Sequence, residues 1–313
     1  MTASEIVTEA HLQTLADGVY AWIGAGGDSN AGAVETRDSL IVIDAQQHAG
    51  LARQFRESLR RKIGKPVELV LNSHYHLDHL AGNAIFADEA PILAHTRTLE
   101  KLHALLGPDP GHGWTVTDLV TKVRLFYGPN TTDLVPDGDP AWDWFARRFA
   151  PSDYDRIDLR PPTCTFADTC EIPLPGDVLR CTYRGPAHCD GDLVFHVPGR
   201  KVAFLADLLF YGRFPWLGDS DLDGWIRTLE HVLTLDLEVV VPGHGVPVTL
   251  KEVAAFRDLL QALRDAVADA VARGASEEAA VREVRLPAYQ KMSRYNEWLG
   301  FNVRNAYRYL KGG

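Results

Sequence analysis

The sequence predicts an α/β fold, strand-rich through its first two thirds and helical at its C-terminus. Three observations lead there. Short runs rich in Val, Ile, Tyr and Trp recur between turn residues. Segments with a helical period of apolar residues separate several of these runs, and residues 249–313 carry the helical period alone. Gly18–Ile23 and Ser39–Asp44 read as strands, with Gly24–Gly27 (Gly-Ala-Gly-Gly) as a turn. Leu51–Ile63 has helical spacing and a basic exposed face, and Gly64-Lys65-Pro66 stops it. Val67–Leu71 and Pro91–Ala94 are apolar runs of the buried-strand type, and Thr96–Leu106 reads as a helix. Between about 107 and 162, Gly, Pro and Asp punctuate an aromatic-rich stretch. It is expected to be an insertion or lid, with helices over Thr115–Phe126 and Ala141–Phe149. Strands follow at Val178–Tyr183, Asp192–Val197 and Lys201–Leu205, then a helix at Leu222–Leu233 and a strand at Glu238–Val241. Thr249 and Glu252 form a capping box that opens a long amphipathic helix to about Arg273. Ser276 starts a short helix, and a last one is expected from near Pro287 to Leu310. The expectation is one domain over 1–313, with the insertion and the C-terminal helices as its additions.

Composition bounds the function. The 313 residues are 46% apolar and 24% charged, an ordinary soluble balance with enough apolar mass for a large core. A net charge of −10 argues against a nucleic-acid partner, because gripping a phosphate backbone requires a surplus of Lys and Arg. No apolar run approaches the roughly 18 residues that span a bilayer, so no membrane partner is expected. The opening MTASEIVTEA lacks the basic and apolar regions of a secretory signal, and the four cysteines form no C-x-x-C pair. A cytoplasmic protein with reduced thiols is the resulting expectation.

Twelve histidines are the unusual entry in this composition. Ser73-His74-Tyr75-His76-Leu77-Asp78-His79 places four potential metal ligands within six residues, directly after a buried strand. His74 and His76 can point the same way, while Asp78 and His79 on the next turn aim at a neighbouring position. Imidazole suits zinc, iron or nickel, and an adjacent carboxylate suits a second ion. Four residues cannot fill two sites. Further candidates stand where strands end: His188 in Gly-Pro-Ala-His, Asp207 after Val-Ala-Phe-Leu-Ala, and His244 in Pro-Gly-His-Gly.

With these motifs in order, the chain from about Gly18 to Pro247 resembles the metallo-β-lactamase-fold hydrolases. The resemblance implies an αββα sandwich with two ions at one edge. His74, His76 and His188 would hold the first ion; Asp78, His79 and His244 the second; Asp207 would bridge. Zinc is the ordinary pair of ions in the family, with iron or manganese in some members. Two ions roughly 3.5–4 Å apart can share a water and lower its pKa towards ~7, giving a metal-bound hydroxide as nucleophile. Asp78 is the candidate catalytic residue, orienting that nucleophile or taking its proton. The expected activity is hydrolysis of an ester, thioester, lactone or amide bond in a small-molecule substrate.

Departures from the family pattern narrow the branch. Asp207 stands where the cysteine-bearing zinc β-lactamases use Cys. Cys189, next to His188, reads as a small supporting residue rather than a ligand. The ligand set is similar to that of the glyoxalase II-like thioesterases, and the tail Trp298–Arg308 to the endings of other metallo-hydrolases of the family, as a helix packed on the core or on a second copy in a homodimer. Tyr211, Arg213 and Trp216 are candidate substrate contacts after Asp207: a Tyr hydroxyl could steady an oxyanion, and Arg213 could receive a carboxylate or phosphate. Asn83 is expected to bond nearby backbone, and His112 is the one remaining histidine to watch. Two alternatives share the same ligands: a diiron redox enzyme acting on a thiol or persulfide, and a β-lactamase-like amidase.

Overall fold

Strand alternation sorts the apolar side chains into layers. The computed structural model describes residues 7–106, 112–114 and 157–312. In chain order, β1 (His11–Ala16), β2 (Val19–Ile23), β3 (Ala31–Glu35) and β4 (Leu40–Ile43) form an antiparallel meander. Helix α1 (Ala49–Lys62) then crosses to β5 (Val67–Asn72), which lies parallel to β4. The single-turn α2 (Leu77–Leu80), β6 (Ile92–His95) and α3 (Thr96–Leu106) follow. A small ribbon pairs β7 (His112–Trp114) with β8 (Ile157–Asp158), and β9 (Cys164–Phe166) returns beside β6 to complete a seven-stranded sheet.

The second sheet has five strands: β10 (Thr169–Leu174), β11 (Asp177–Tyr183), β12 (Leu193–Val197), β13 (Val202–Phe210) and β14 (Val239–His244), the last parallel to β13. Helix α4 (Leu222–Val232) connects β13 to β14, and α5 (Leu250–Ala272), α6 (Glu277–Glu283) and α7 (Tyr295–Leu310) complete the chain. In β2, Val19, Ala21 and Ile23 face the second sheet, while Trp22 faces Phe55 and Leu59 of α1. In β4, Ile41 and Ile43 take the inner face and Leu40 and Val42 the helical one. Across the interface, Leu179, Cys181, Phe195 and Phe204 meet them. Ala203 and Leu205 turn outward to Trp225 of α4, Phe256 of α5 and Trp298 of α7. Helix, sheet, sheet, helix is therefore the layer order, the αββα sandwich that the motifs imply. Each fully buried Leu, Ile or Phe in these layers contributes about 1.5–3 kcal/mol.

Most expected elements stand within two or three residues of their predicted ends. The differences have local causes. β1, β3, β9 and β10 have no clear apolar signature, and β1 and β10 carry polar residues through largely exposed edges. β13 continues to Phe210, past the expected end at Leu205, across two irregularities in its pairing with β14. The expected last helix is a 3-10 turn at Pro287–Tyr289 followed by α7, and Arg294 with φ +67° breaks the two apart. Both helices expected inside the insertion lie outside the described residues. At Thr249, the backbone N–H and the hydroxyl both donate to the Glu252 carboxylate, at 3.0 and 2.6 Å, and fix the start of α5. Among the described residues, no helix is long and apolar enough to cross a membrane.

Candidate metal centre

The site forms where β4, β5 and β14 end and β13 bends. β5 ends two residues before His74, which lies in the bend that follows, His76 precedes the first turn of α2, and that turn carries Asp78 and His79. His188 sits in the loop between β11 and β12, and His244 ends β14. Asp207 lies inside β13 rather than at its end. Its neighbour Ala206 has φ +44°, a left-handed conformation that costs a non-glycine residue roughly 1–2 kcal/mol and redirects the strand at the irregularity. A Cβ on Gly243 would stand 2.0 Å from Asp207 Oδ1, so β14 can approach this carboxylate only with glycine there. Gly245, at φ +102°, turns the chain away just after His244. Asn30 clamps this corner: its amide donates to the Pro242 and Gly245 carbonyls at 2.8 and 2.7 Å.

All seven expected ligands come together, in two groups that share Asp207. In one, ligand atoms of His74, His76, His188 and Asp207 lie within 4.8 Å of one another; in the other, those of Asp78, His79, Asp207 and His244 do. His79 Nε2 is 3.0 Å from Asp207 Oδ1, and His244 Nε2 is 3.3 Å from both that oxygen and Asp78 Oδ2. His188 and His74 approach Asp207 Oδ2 at 3.8 and 4.0 Å. The side chain of Asp78 is 17% exposed, and the other acid, Asp207, only 5%. Asp78 is thus the member that opens toward solvent.

These environments separate the groups electrostatically. Burial pushes His74 well below its ordinary range, assisted by the His79 and His76 rings, and pushes His76 down to about 3. Burial also opposes a charge on His79, but the Asp207, Asp78 and Asp44 carboxylates outweigh it and raise its pKa. For Asp207 and Asp78, burial favours the neutral acid, and the neighbouring His79 and His244 rings reverse that, holding both carboxylates down.

Four further groups stand against the far nitrogens of these ligands. Asp44, just past β4 at φ +60°, accepts from Ser73 N–H at 2.8 Å and Ser73 Oγ at 2.7 Å, and stands 2.8 Å from His79 Nδ1. Ser73 Oγ also lies 2.9 Å from His74 Nδ1. The Gly27 carbonyl holds His244 Nδ1 at 3.0 Å. Asp192 stands 3.7 Å from His188 Nδ1 and accepts from Cys189 N–H at 2.6 Å. Carboxylates and carbonyls on the far nitrogen fix the ring and its tautomer, leaving the other nitrogen free to bind a cation. Asp44 and Asp192 were silent in the sequence. The only signal for Asp44 is an acid directly after a buried strand.

The residues fit a pair of divalent cations. The Nε2 atoms of His74, His188 and His244 are buried without a hydrogen-bond partner among the described residues, although each faces Asp207. Buried polar atoms left this way call for another partner. Five imidazoles and two carboxylates, with no thiolate in either group, suit borderline and hard-to-borderline cations. The Cys189 thiol, pushed well up by burial, lies 3.4 Å from Asp192 Oδ1.

The metallo-beta-lactamase superfamily model matches residues 24–244, which contain every one of these groups. The chain belongs to the metallo-beta-lactamase superfamily. Its members, an alkylsulfatase relative among them, are metal-dependent hydrolases, and this chain is an enzyme of that class. The alpha subunit of a 2,4-dinitroanisole O-demethylase from Nocardioides sp. is 25% identical over 96% of this chain and 77% of its own length. A linear primary-alkylsulfatase from Pseudomonas sp. is 23% identical over 82% of this chain, which spans half of that protein. Among solved structures, a metallo-beta-lactamase from Pontibacter korlensis superposes with a TM-score of 0.58 at 18% identity, over 81% of this chain and 99% of its own. A stereoselective inverting sec-alkylsulfatase from Pseudomonas sp. superposes with a TM-score of 0.68 at 18% identity, over 96% of this chain and 50% of its own. At these identities the structural matches speak for the fold.

The other expected site residues follow β13, where the Tyr211 N–H donates to the His244 carbonyl at 3.0 Å. Trp216 is 3% exposed and stacks on Phe301 at 3.8 Å between ring centroids, against α7. The Arg213 guanidinium lies over the Phe210 and Trp298 rings at 4.9 and 5.1 Å, and its Nη1 donates to the Gly27 carbonyl at 3.3 Å. Phe210 stacks on His244. The next residue, Tyr211, borders a separate surface cavity with Leu15, Val248 and Glu252. Asn83 exchanges hydrogen bonds with Asn72 and donates to the Arg160 carbonyl at 2.8 Å, supporting the floor behind the motif. The backbone of His112 pairs with Asp158 in the small ribbon. Most of the expected insertion lies outside the described residues.

Proposed function

We propose that this chain is a dinuclear, zinc-type hydrolase that cleaves an ester-type bond to oxygen in a small organic substrate. The sharing of Asp207 between two four-residue groups carries the reading, because a carboxylate within reach of both is what brings two cations side by side. His74, His76 and His188 would hold one ion, Asp78, His79 and His244 the other, and Asp207 both. Such a pair supplies Lewis acidity and an acidified water at neutral pH.

The chain's own residues do the rest. Asp78, open to solvent at 17%, is placed to accept a proton on the substrate side. The Phe210 ring covers the His244 face, Trp225 packs 5.2 Å from His188, and together they keep water from the rear of the cluster. Asp44, 2.8 Å from His79 Nδ1, holds that ring against rotation, and the Asp192 carboxylate stands 3.7 Å from His188 Nδ1. The two relatives reported above are named for breaking a bond to oxygen, in an aryl methyl ether and in an alkyl sulfate, which favours oxygen esters over amides as the substrate class.

Protein of known metal content, assayed on carboxylic esters, lactones, thioesters, alkyl sulfates, aryl methyl ethers and β-lactams, tests this reading. Two metal equivalents per chain are expected, with turnover of at least one oxygen ester and a loss of 10²-fold or more in Asp78→Asn and His76→Ala. Full activity in both variants on every substrate would overturn it. So would iron with thiol or persulfide oxidation in place of hydrolysis.

A further inference from the structure

The segment from β13 to α4 touches the histidines of the first group from behind. Asp219 accepts a hydrogen bond from the Tyr75 hydroxyl at 2.8 Å, and Tyr75 is the residue between His74 and His76. The Tyr75 ring is fully buried, 4.6 Å from the His76 ring. Lys101 of α3 pairs with the other Asp219 oxygen at 2.7 Å. The next residue, Ser220, donates its hydroxyl to the His188 carbonyl at 2.7 Å, and the Asp221 N–H reaches the Ala187 carbonyl at 2.9 Å. Three consecutive residues therefore bind both chain segments that supply the first group's histidines.

This segment is itself held by α7. The Asn302 side chain accepts from Leu217 N–H at 3.1 Å and donates to the Pro215 carbonyl at 2.7 Å. Asn305 donates to the Gly218 carbonyl at 2.7 Å, and the Tyr309 hydroxyl to Asp221 at 2.9 Å. The second group has different supports: Asp44 holds His79, and the Gly27 carbonyl holds His244. Asp44 also reaches His74 through Ser73, so the supports particular to the first group are the bonds of Asp219 to Tyr75 and of Ser220 to the His188 carbonyl.

We propose that Asp219 and Ser220 are positioning residues that set the affinity of the first metal position, and that α7 acts on that position through them. This rests on the dinuclear reading above. Tyr75 and Ser220 contribute through a single hydroxyl each, so their removal leaves the apolar packing in place while freeing the backbone that aims His74, His76 and His188. Loss of a group that orients a ligand typically weakens metal binding about 10–100-fold.

The test is a Zn2+ titration of the full chain against a chromophoric chelator, repeated with Co2+ by absorption, for wild type, Tyr75→Phe, Ser220→Ala, Asn305→Ala and Ser220→Thr. The expected result is that one of two equivalents weakens about 10–100-fold in the first three variants while the other keeps its affinity, and that Ser220→Thr, which restores a hydroxyl, recovers it. The unaffected equivalent serves as the internal control for folding. Two equivalents at wild-type affinity in both Tyr75→Phe and Ser220→Ala would overturn the proposal, as would parallel weakening of both. A wild-type chain that takes no metal overturns the dinuclear reading itself, a separate result.

Discussion

Asp44 shows how much of the centre depends on a residue outside both ligand groups. Its two oxygens accept from the Ser73 backbone and hydroxyl and face His79 Nδ1. Asp44→Asn keeps the shape but supplies only one acceptor oxygen, so one of these donors must face an NH₂ group. A buried donor left without an acceptor costs about 1–3 kcal/mol, and a ligand ring freed at its far nitrogen binds metal about 10–100-fold more weakly. Urea denaturation should therefore show lower stability, and metal titration a weakened second equivalent; wild-type values in both would remove Asp44 from the argument. The contrast with the motif at 74–79 is one of distance along the chain. His74, His76, Asp78 and His79 are legible because a strand end and one helical turn suffice to converge them. Asp44 acts across 29 to 35 residues, through a pairing of β4 with β5 that no local pattern announces. Asp207 is legible as an acid near a strand end, whereas the left-handed Ala206 that turns the strand beside it is not. Trp216 shows the opposite limit. An aromatic after a ligand strand reads as a pocket wall, and only the packing of α7 shows it stacked on Phe301.

At the scale of elements, legibility follows burial pattern. β4 and β5, apolar and flanked by turns, are evident in the sequence, while β10, exposed on alternate residues at a sheet edge, is not. α5 announces itself through Thr249 and Glu252 because a capping box is a local device. α7 is legible as a helix, but its start at Tyr295 depends on the left-handed Arg294. This helix also contains a glycine with no backbone need for one. Gly300 sits mid-helix without a positive φ, and a Cβ there would meet only Val281 Cγ1, at 3.5 Å, an ordinary contact. Gly300→Ala should accordingly stabilise the protein by about 0.5–1 kcal/mol through reduced freedom of the unfolded chain. Chemical denaturation reads this directly. Unchanged or lower stability would mean that α7 needs the glycine for an approach the contacts do not show.

For the whole molecule, the centre is the place where the two sheets are joined by polar groups rather than by the apolar core. His74, His76, Asp78 and His79 follow β5 of the first sheet; His188, Asp207 and His244 belong to the second. An ion held by both sets would link the sheets at that edge, and stability then depends on free metal through mass action. One site contributes about 2.7 kcal/mol at a free-metal concentration 100 times its Kd, and two contribute about twice that. Removing metal with a chelator should therefore lower the unfolding midpoint by several degrees or more, at about 2–4 °C per kcal/mol for a chain approaching this size. The loss should also be local. Hydrogen exchange should accelerate in residues 72–82, 184–192 and 243–247, while α5, whose Phe256, Leu259, Leu260 and Leu263 are buried in the outer core, keeps its protection. If the metal-free and metal-loaded proteins unfold at the same temperature and exchange alike at this edge, the cluster does not join the sheets. Uniform acceleration along the chain would instead mean that the fold depends on metal as a whole.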